Sequence, residues 1–367
     1  MLKVALVHFC FEDYTIQLAN SLANWVDLTL IHPQQVAPKC QGALTSQINR
    51  FEFNKFRVRD LRNFRSMKTL VDFIQNLDPD ILHVQETNDP WYDLTLLLNA
   101  SSLPPLITTL HDIFPHPGDR ERAFGSEYTK RFCFNRSQKI IVHAQSLKEI
   151  LIKKFAIDPL KIHQLPHGEL GSLYRHRVPS AFCEKRDSST LLFFGRIWPY
   201  KGLKYLIEAM PMIINKIPTV KLIIAGRGEN LQQYFPHEID PQHYEIINDF
   251  IPDAQVIELF QKSTLTILPY IEASQSGVAA LSYGFDTPII ASDVGGLSEI
   301  VCHDQDGILV PPRHPQALAD AIIKILENPL KLTQMQRAAQ SRCQTDLNWS
   351  NIAQQTVMVY EQALQKN

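Results

Sequence analysis

Short apolar runs alternate with stretches of helical period along the whole chain. In the first half, Lys3–His8, Asp27–His32, Ile81–Gln85, Leu106–Leu110, Lys139–Ala144 and Ile162–Leu165 read as strands. In the second half the same reading falls on Thr190–Ile197, Lys221–Ala225, Glu245–Asn248, Leu265–Leu268, Pro288–Ser292 and Gly307–Val310. Runs this short and this apolar fit strands buried on both faces, which is how parallel strands lie. Between them, Leu203, Leu206, Ile207, Met210, Ile213, Ile214 and Ile217 hold one face of a helix. Leu318, Ala321, Ile322, Ile325 and Leu326 hold another, with Pro315 near its start and Pro329 expected just beyond its end. Strand–helix alternation builds a parallel sheet wrapped by helices, and the pattern runs through twice.

Length agrees with two sheets, because 367 residues exceed the ~250–300 at which a single core stops growing. The polar, aperiodic stretch His176–Ser189 reads as a linker. It separates an N-terminal domain over residues 1–175 from a C-terminal domain over 190–347. Residues 348–367 carry Trp349, Ile352, Val357 and Tyr360 in an amphipathic helix too late to belong to a strand unit. A chain that is 45% hydrophobic and 20% charged is not a disordered one. Thirty-six basic against 38 acidic residues, a net charge of -2, counts against general nucleic-acid binding. No run approaches the ~18 apolar residues of a membrane span. The apolar start is short, followed by Glu12 and Asp13, and lacks the pattern of a secretory signal. Cys10, Cys40, Cys133, Cys183, Cys302 and Cys343 are scattered without a CxxC pair, so reduced thiols in a cytosolic chain are expected rather than zinc or disulfides.

Ligands of open parallel sheets bind beyond the carboxyl ends of the strands. Three loops of the second half carry suitable chemistry. Phe194–Gly202 (FGRIWPYKG) places the Arg196 guanidinium and the Lys201 ammonium on one short loop before a helix. That combination suits a diphosphate, although two ordinary surface cations would look the same. Tyr270–Ala280 (YIEASQSGVAA) ends a strand, offers Glu272, then opens a helix with Ser274, Ser276 and Gly277. Small residues there let phosphate oxygens reach backbone N–H groups, and serines also serve as plain N-caps. Ala225–Glu229 (AGRGE) is a glycine turn without the third glycine of a dinucleotide fingerprint, and the first βα turn, His8–Tyr14, has no glycine at all. A nicotinamide or flavin enzyme of the usual kind is disfavoured.

FGRI-WPYKG, IAGRGE, NDFIPDAQVIELF, LPYIEASQSGV, PIIASDVGGLSEIV and DGILVPP stand here in an order and spacing that resembles the second domain of retaining glycosyltransferases of family 4. Pro166–Gly168 and the closing Trp349/Tyr360-Glu361 helix are similar too, whereas the likeness before Lys139 is thin. The resemblance implies the GT-B fold: two doubly wound Rossmann-like α/β domains facing across a cleft, with the last helix crossing back to the first. It also implies sugar transfer from a nucleoside-diphosphate donor, UDP- or GDP-linked, to a hydroxyl acceptor, with retained configuration, no bound metal and no cofactor beyond the donor. By position, Arg196 and Lys201 match the pair that neutralises the donor diphosphate, with Gly195 on the same loop. Glu272 matches the glutamate that holds the donor sugar's hydroxyls. Ser276, Gly277 and Val278 match the helix start that offers N–H groups to the diphosphate. Gly226 and Gly228 match the turn near the nucleotide, and Phe250-Ile251 the segment beside the base. His111 resembles a histidine that reaches the transferred sugar.

Two departures stand out. The family's second glutamate would fall at Ala280 or Leu281, neither of which accepts a hydrogen bond from a ribose. The glycine-rich first loop is missing as well. A sugar-nucleotide epimerase on the same scaffold, or a catalytically silent donor-binding partner subunit, therefore stays open beside the transferase. Elsewhere, Asp78-Pro-Asp80 has the spacing of a metal-binding DxD but immediately precedes a strand and reads as a turn. His143 reads as an interior histidine. Arg50, Lys55, Arg57, Arg59, Arg62, Arg65 and Lys68 are interleaved with Phe51, Phe53, Phe56 and Phe64. That segment is either a solvated helix face with aromatics turned inward or a peripheral contact for anionic membrane.

Overall fold

The computed structural model describes residues 1–85, 89–99, 101–114, 127–179, 186–235 and 240–365. Two compact units result. One gathers the described residues up to Gly168 together with those from Trp349 onward, and the other gathers Glu169–Asn348.

The first unit is a seven-stranded sheet of β1 (Lys3–Val7), β2 (Asp27–Pro33), β3 (Asn49–Phe53), β4 (Ile81–Gln85), β5 (Leu106–Leu110), β6 (Lys139–Val142) and β7 (Ile162–Gln164). Their spatial order is β3-β2-β1-β4-β5-β6-β7, and every pairing is parallel. The second unit is a six-stranded sheet of β8 (Thr190–Phe194), β9 (Lys221–Ala225), β10 (Tyr244–Ile247), β11 (Leu265–Leu268), β12 (Ile289–Ser292) and β13 (Gly307–Val310). Its order is β10-β9-β8-β11-β12-β13, again parallel throughout. In each sheet the chain winds outward from the first strand, then returns to wind the other way, so one crevice opens between β1 and β4 and another between β8 and β11. Central strands are buried along their length, as their unbroken apolar sequences require; Leu191, Leu222, Leu265 and Ile267 join Leu206, Met210 and Ile322 in one core.

Several expectations are corrected by the structure. β3 is an additional strand: it lies at the sheet edge with Asn49, Arg50 and Glu52 exposed, which gives it a polar sequence with only Phe51 and Phe53 turned inward. Pro329 lies just beyond the helix Pro315–Leu326, as expected, and also starts a further helix, Pro329–Gln344, whose first turn is capped by Asn328 Oδ1 accepting from Lys331 N at 3.0 Å. A proline suits that position because the first turn needs no donor from it. β8 ends three residues before Ile197, where Gly195 turns with φ 102°. The chain leaves the first unit at Gly168, earlier than the polar stretch His176–Ser189. The helix Gly171–Arg177 packs in the second unit, with Gly171 so close to Gly284 that a Cβ would meet the Gly284 carbonyl oxygen at 2.4 Å. Residues 180–185 of that stretch, Cys183 among them, lie outside the described residues. Asp78 and Asp80 shape the entry to β4: Asp78 takes a left-handed conformation and Asp80 Oδ2 accepts from Lys3 N at 2.8 Å.

The first unit buries an unusual number of histidines along the carboxyl edge of its sheet. His8, His32, His83, His111, His143 and His167 are all buried. Tyr14, on the helix Glu12–Leu22, sits among them with ring centroids 4.7 Å from His111 and 5.0 Å from each of His143, His167 and Trp349. Trp349 begins the helix Trp349–Leu364 and lies against Gly168, while Tyr360 of that helix places its Oη 2.6 Å from His83 Nδ1. Burial lowers the pKa of His8, His83 and His143 from 6.5 to about 3 and that of His167 to about 4; His111 is lowered by burial and then by His143. These groups are neutral when folded and take protons more readily when unfolded. Their contribution is therefore complete above the unfolded value of 6.5 and is lost as pH falls toward 3. Thermal or denaturant unfolding should lose about 1.4 kcal/mol per pH unit for each such histidine below about pH 6. A melting temperature flat between pH 7 and pH 5 would refute this account of the cluster.

Candidate functional site

The second unit supplies the site from two neighbouring loops at its crevice. After β8 the chain turns at Gly195, runs through Arg196 to Trp198, makes a short 3-10 turn at Pro199–Lys201, and enters the helix Leu203–Lys216. After β11 it passes Tyr270, Glu272 and Ser276 and enters the helix Gly277–Gly284. The two loops are tied by Ile271 N donating to the Tyr200 carbonyl at 2.8 Å. Gly202, at φ 69°, is wedged where a Cβ would lie 1.8 Å from the Pro269 carbonyl oxygen, so only glycine allows this approach.

Lys201 is the pivot. It is 8% exposed, and its Nζ donates to Tyr270 Oη at 2.6 Å while standing 3.8 Å from the centre of the Tyr270 ring. A buried ammonium is tolerable only with such partners. Tyr270 is itself buried; burial pushes its phenol well up, and the Ser276 hydroxyl and the nearby Arg196 charge act in the opposite direction. Arg196, Lys201, Tyr270 and Ser276 thus form one electrostatic group. Arg196 is exposed, whereas Ser276 is buried.

Ser276 caps the helix Gly277–Gly284, its Oγ accepting from Ala279 N at 3.3 Å. Its carbonyl accepts from Ala279 N and Ala280 N at 3.1 and 3.2 Å. The amides of Gly277 and Val278 come before these and have no acceptor among the described residues. Packing does not demand the glycine at 277, since the nearest heavy atom to a Cβ there would be Leu170 Cδ1 at 4.0 Å. Val278 approaches the β8 loop, its Cγ2 lying 3.3 Å from where a Cβ on Gly195 would be. Two cations on one loop and two open amides at the neighbouring helix start are groups of the kind that suit an anion.

The remaining sequence candidates of this unit take their places around it. The β8 and β9 loops are zipped together by Gly195 N to the Ala225 carbonyl at 2.9 Å, Ile197 N to the Arg227 carbonyl at 3.1 Å and Glu229 N to the Ile197 carbonyl at 3.0 Å. A Cβ at Gly226 would fall 2.0 Å from the Gly195 carbonyl oxygen, and one at Gly228 2.1 Å from that of Ile197, so these glycines serve the loop contact directly. Asn248 holds the turn through Gly228 N to Oδ1 at 3.2 Å and Nδ2 to the Glu229 carbonyl at 3.0 Å. Phe250 is 74% exposed beside it, and Ile251 is buried. Glu272 is exposed on the β11 loop. Ala280 and Leu281 are buried within the helix.

The sequence reading passed over Tyr270 as a functional residue, although an aromatic hydroxyl at the end of a strand and two residues before Glu272 was visible. Trp198 Nε1 and Gln275 Oε1, on the same two loops, are buried polar atoms with no partner among the described residues. Such atoms call for a ligand or water.

In the first unit, His111 follows β5, is fully buried, and stacks on Phe11 with centroids 4.0 Å apart. Its Nε2 donates to Gln85 Oε1 at 3.0 Å, and Gln85 Nε2 lies 3.4 Å from His83 Nε2. His143 is an interior histidine, its Nδ1 bonded to the Leu165 carbonyl at 3.0 Å, but it also belongs to the ring cluster around His111.

Two doubly wound units with parallel sheets of seven and six strands are the architecture of the GT-B fold. HepE of Anabaena, solved in complex with UDP, shares it with a TM-score of 0.71 over 98% of this chain and 100% of that one, at 17% identity. A family model described as glycosyl transferases group 1 matches residues 188–328, and one described as glycosyl transferase 4-like matches residues 3–144. The chain belongs to the glycosyltransferases of the GT4 type. An uncharacterised glycosyltransferase of Methanocaldococcus jannaschii is 30% identical over 182 residues, 49% of this chain and 46% of that protein. The glycogen synthase of Mycobacterium tuberculosis is 25% identical over 264 residues, 70% of this chain and 63% of that protein. The chain therefore spans less than two-thirds of the length of either relative.

Replacing Tyr270 by Phe keeps the ring beneath Lys201 but removes the oxygen that accepts from a buried ammonium. Denaturant unfolding should show a loss of about 1–3 kcal/mol, and an unchanged midpoint would show that Lys201 does not depend on that hydroxyl.

Proposed function

We propose that this chain transfers a sugar from a UDP- or GDP-linked donor to a hydroxyl acceptor such as a glycan, a glycolipid or a small molecule, with retention and without a bound metal. The observation that carries the proposal is Tyr270, which holds the Lys201 ammonium, feels the Arg196 charge and bonds to Ser276 at the helix start whose Gly277 and Val278 amides are open. A nucleoside diphosphate acquires negative charge as it leaves, and fixed donors aimed at that charge lower the barrier. Two side-chain cations and a helix start do here what a divalent ion would otherwise do. UDP in the HepE complex favours the uridine donor among the two. In this reading Glu272 holds hydroxyls of the donor sugar, Gly226, Gly228, Phe250 and Ile251 flank the nucleotide, and His111 addresses the transferred sugar.

Retention needs no protein nucleophile. The sugar's bond to the diphosphate breaks on the face from which the acceptor oxygen attacks, and a leaving phosphate oxygen takes the acceptor's proton. The acceptor belongs to the first unit, and polysaccharide or glycolipid assembly is the setting that suits it. Among the described residues no helix is long and apolar enough to cross a membrane. The same reading includes a peripheral contact with an anionic membrane through the Arg50–Lys68 segment.

Arg196→Ala and Lys201→Ala should each lower turnover on the order of 10²-fold, measured with the purified chain, a matched donor and its acceptor; near-wild-type rates in both would remove these residues from the chemistry. A chelator should leave turnover unchanged. In a thermal-shift series with UDP, GDP, ADP and TDP, one base should stand out, because a ligand at a hundred times its Kd stabilises by ~2.7 kcal/mol. No response to any of the four would count against nucleotide binding altogether.

A further inference from the structure

The loop ahead of the helix Arg62–Leu77 and the first turn of that helix carry apolar side chains that the fold leaves outside. Val58, Leu61 and Phe64 are 49%, 79% and 62% exposed. Of the aromatics in the surrounding segment, Phe53 is buried, Phe51 stacks on Phe73, and Phe56 lies under the Arg62 guanidinium at 4.3 Å. Phe64 alone among them is turned out.

These three apolar side chains do not sit on a loose loop. The Asn63 side chain is buried beneath it, accepting from Phe56 N at 3.0 Å and donating to the Arg57 carbonyl at 2.9 Å. Asp60 N donates to that same carbonyl at 2.8 Å, Trp91 Nε1 donates to the Val58 carbonyl at 2.7 Å, and the Ser66 hydroxyl donates to the Asn54 carbonyl. Buried polar groups thus hold the backbone in a form that presents Val58 and Leu61 to solvent. A preorganised apolar projection loses little conformational freedom when it is covered.

The charges around it are mostly positive. Arg57, Arg59, Arg62, Arg65 and Lys68 are exposed, against Asp60, which is paired with Arg62 at 2.6 Å. Asp72 is the next exposed acid along the helix, and Glu52 lies on the edge strand. The chain as a whole has a net charge of -2, so this concentration of cations is local. Free phosphates or a nucleic-acid backbone would use the cations but give no place to three exposed apolar side chains. A lipid surface uses both, with headgroup phosphates at the level of the arginines and the acyl boundary at the level of the apolar tip.

We infer that Val58, Leu61 and Phe64 form a membrane-inserting wedge, and that Arg57, Arg59, Arg65 and Lys68 seat it on anionic lipid. This names the residues of the peripheral contact and holds whether or not the nucleotide-sugar reading of the second unit is correct. The test is flotation of the full chain with vesicles of phosphatidylcholine alone and of phosphatidylcholine with about one-third phosphatidylglycerol. The chain should float with the anionic vesicles, less so as salt is raised, and remain behind with the neutral ones. Arg57→Gln/Arg59→Gln/Arg65→Gln should weaken partitioning by at least tenfold, since each basic residue is worth about fivefold near such a surface. Leu61→Ser/Phe64→Ser should weaken it comparably and leave a residual binding that salt abolishes. Both variants alter exposed side chains and should keep the wild-type melting temperature and nucleotide response. Failure of the wild type to float with anionic vesicles, or equal flotation of both variants and wild type, overturns the inference. Self-association that Leu61→Ser/Phe64→Ser abolishes, without vesicle binding, overturns it in favour of a second copy of this chain.

Discussion

The contact between the Lys201 ammonium and Tyr270 is the constraint on which the candidate site depends. An ammonium that is 8% exposed needs compensation on several sides, and here a phenol supplies both an accepting oxygen and a ring face. Meeting that need fixes the relation between the loops after β8 and β11, with Gly202 giving the clearance and Ser276 holding the helix start. Neither loop would keep its shape without the other. The setting of Lys201 thus comes from the packing of two strand ends rather than from a flexible basic surface.

The two sheets use the same topology for different electrostatics. On the two loops at the crevice of the second unit stand two cations and a helix start with two open amides. Along the corresponding edge of the first, six histidines lie buried and at least five are held neutral, with aromatic rings from the Glu12–Leu22 and Trp349–Leu364 helices filling the gaps between them. The first turn of this unit has no glycine, and Phe11 takes a left-handed conformation at φ 62° to lay its ring on His111. What glycine-rich turns leave open to a ligand, this chain fills with an aromatic side chain. Gln85 and His83 then connect His111 to Tyr360 through a line of buried polar contacts.

Much of the fold was legible because parallel strands buried on both faces leave nearly uniform apolar runs. Ile81–Gln85, Leu106–Leu110, Lys221–Ala225, Leu265–Leu268 and Gly307–Val310 coincide in sequence and structure. β3 was not, since an edge strand with one solvated face looks polar, and its cations drew attention to charge instead. Pro329 stands just beyond the helix Pro315–Leu326 as its sequence suggests, but the helix it starts was not read, because the same residue that forbids a helix interior suits a first turn. In the site, residue types pointed to Arg196, Lys201 and the Ser276–Val278 helix start. Tyr270 was hidden, because nothing in a linear sequence says that a lysine will be buried and need a phenol. The crowding at Gly226 and Gly228 was likewise invisible, since it arises from hydrogen bonds between loops some thirty residues apart in sequence.

The helix Trp349–Leu364 belongs to the first unit although the whole second unit is synthesised before it. As the chain emerges from the ribosome, the first sheet can form early, yet Tyr14, His83 and Gly168 must wait for their partners Trp349 and Tyr360. Until then a wet, incompletely packed edge persists in which the histidines can still be protonated. That helix therefore acts as a latch, drying that edge only after both sheets exist. An excised fragment ending near Gly168 would remain in the unlatched condition permanently.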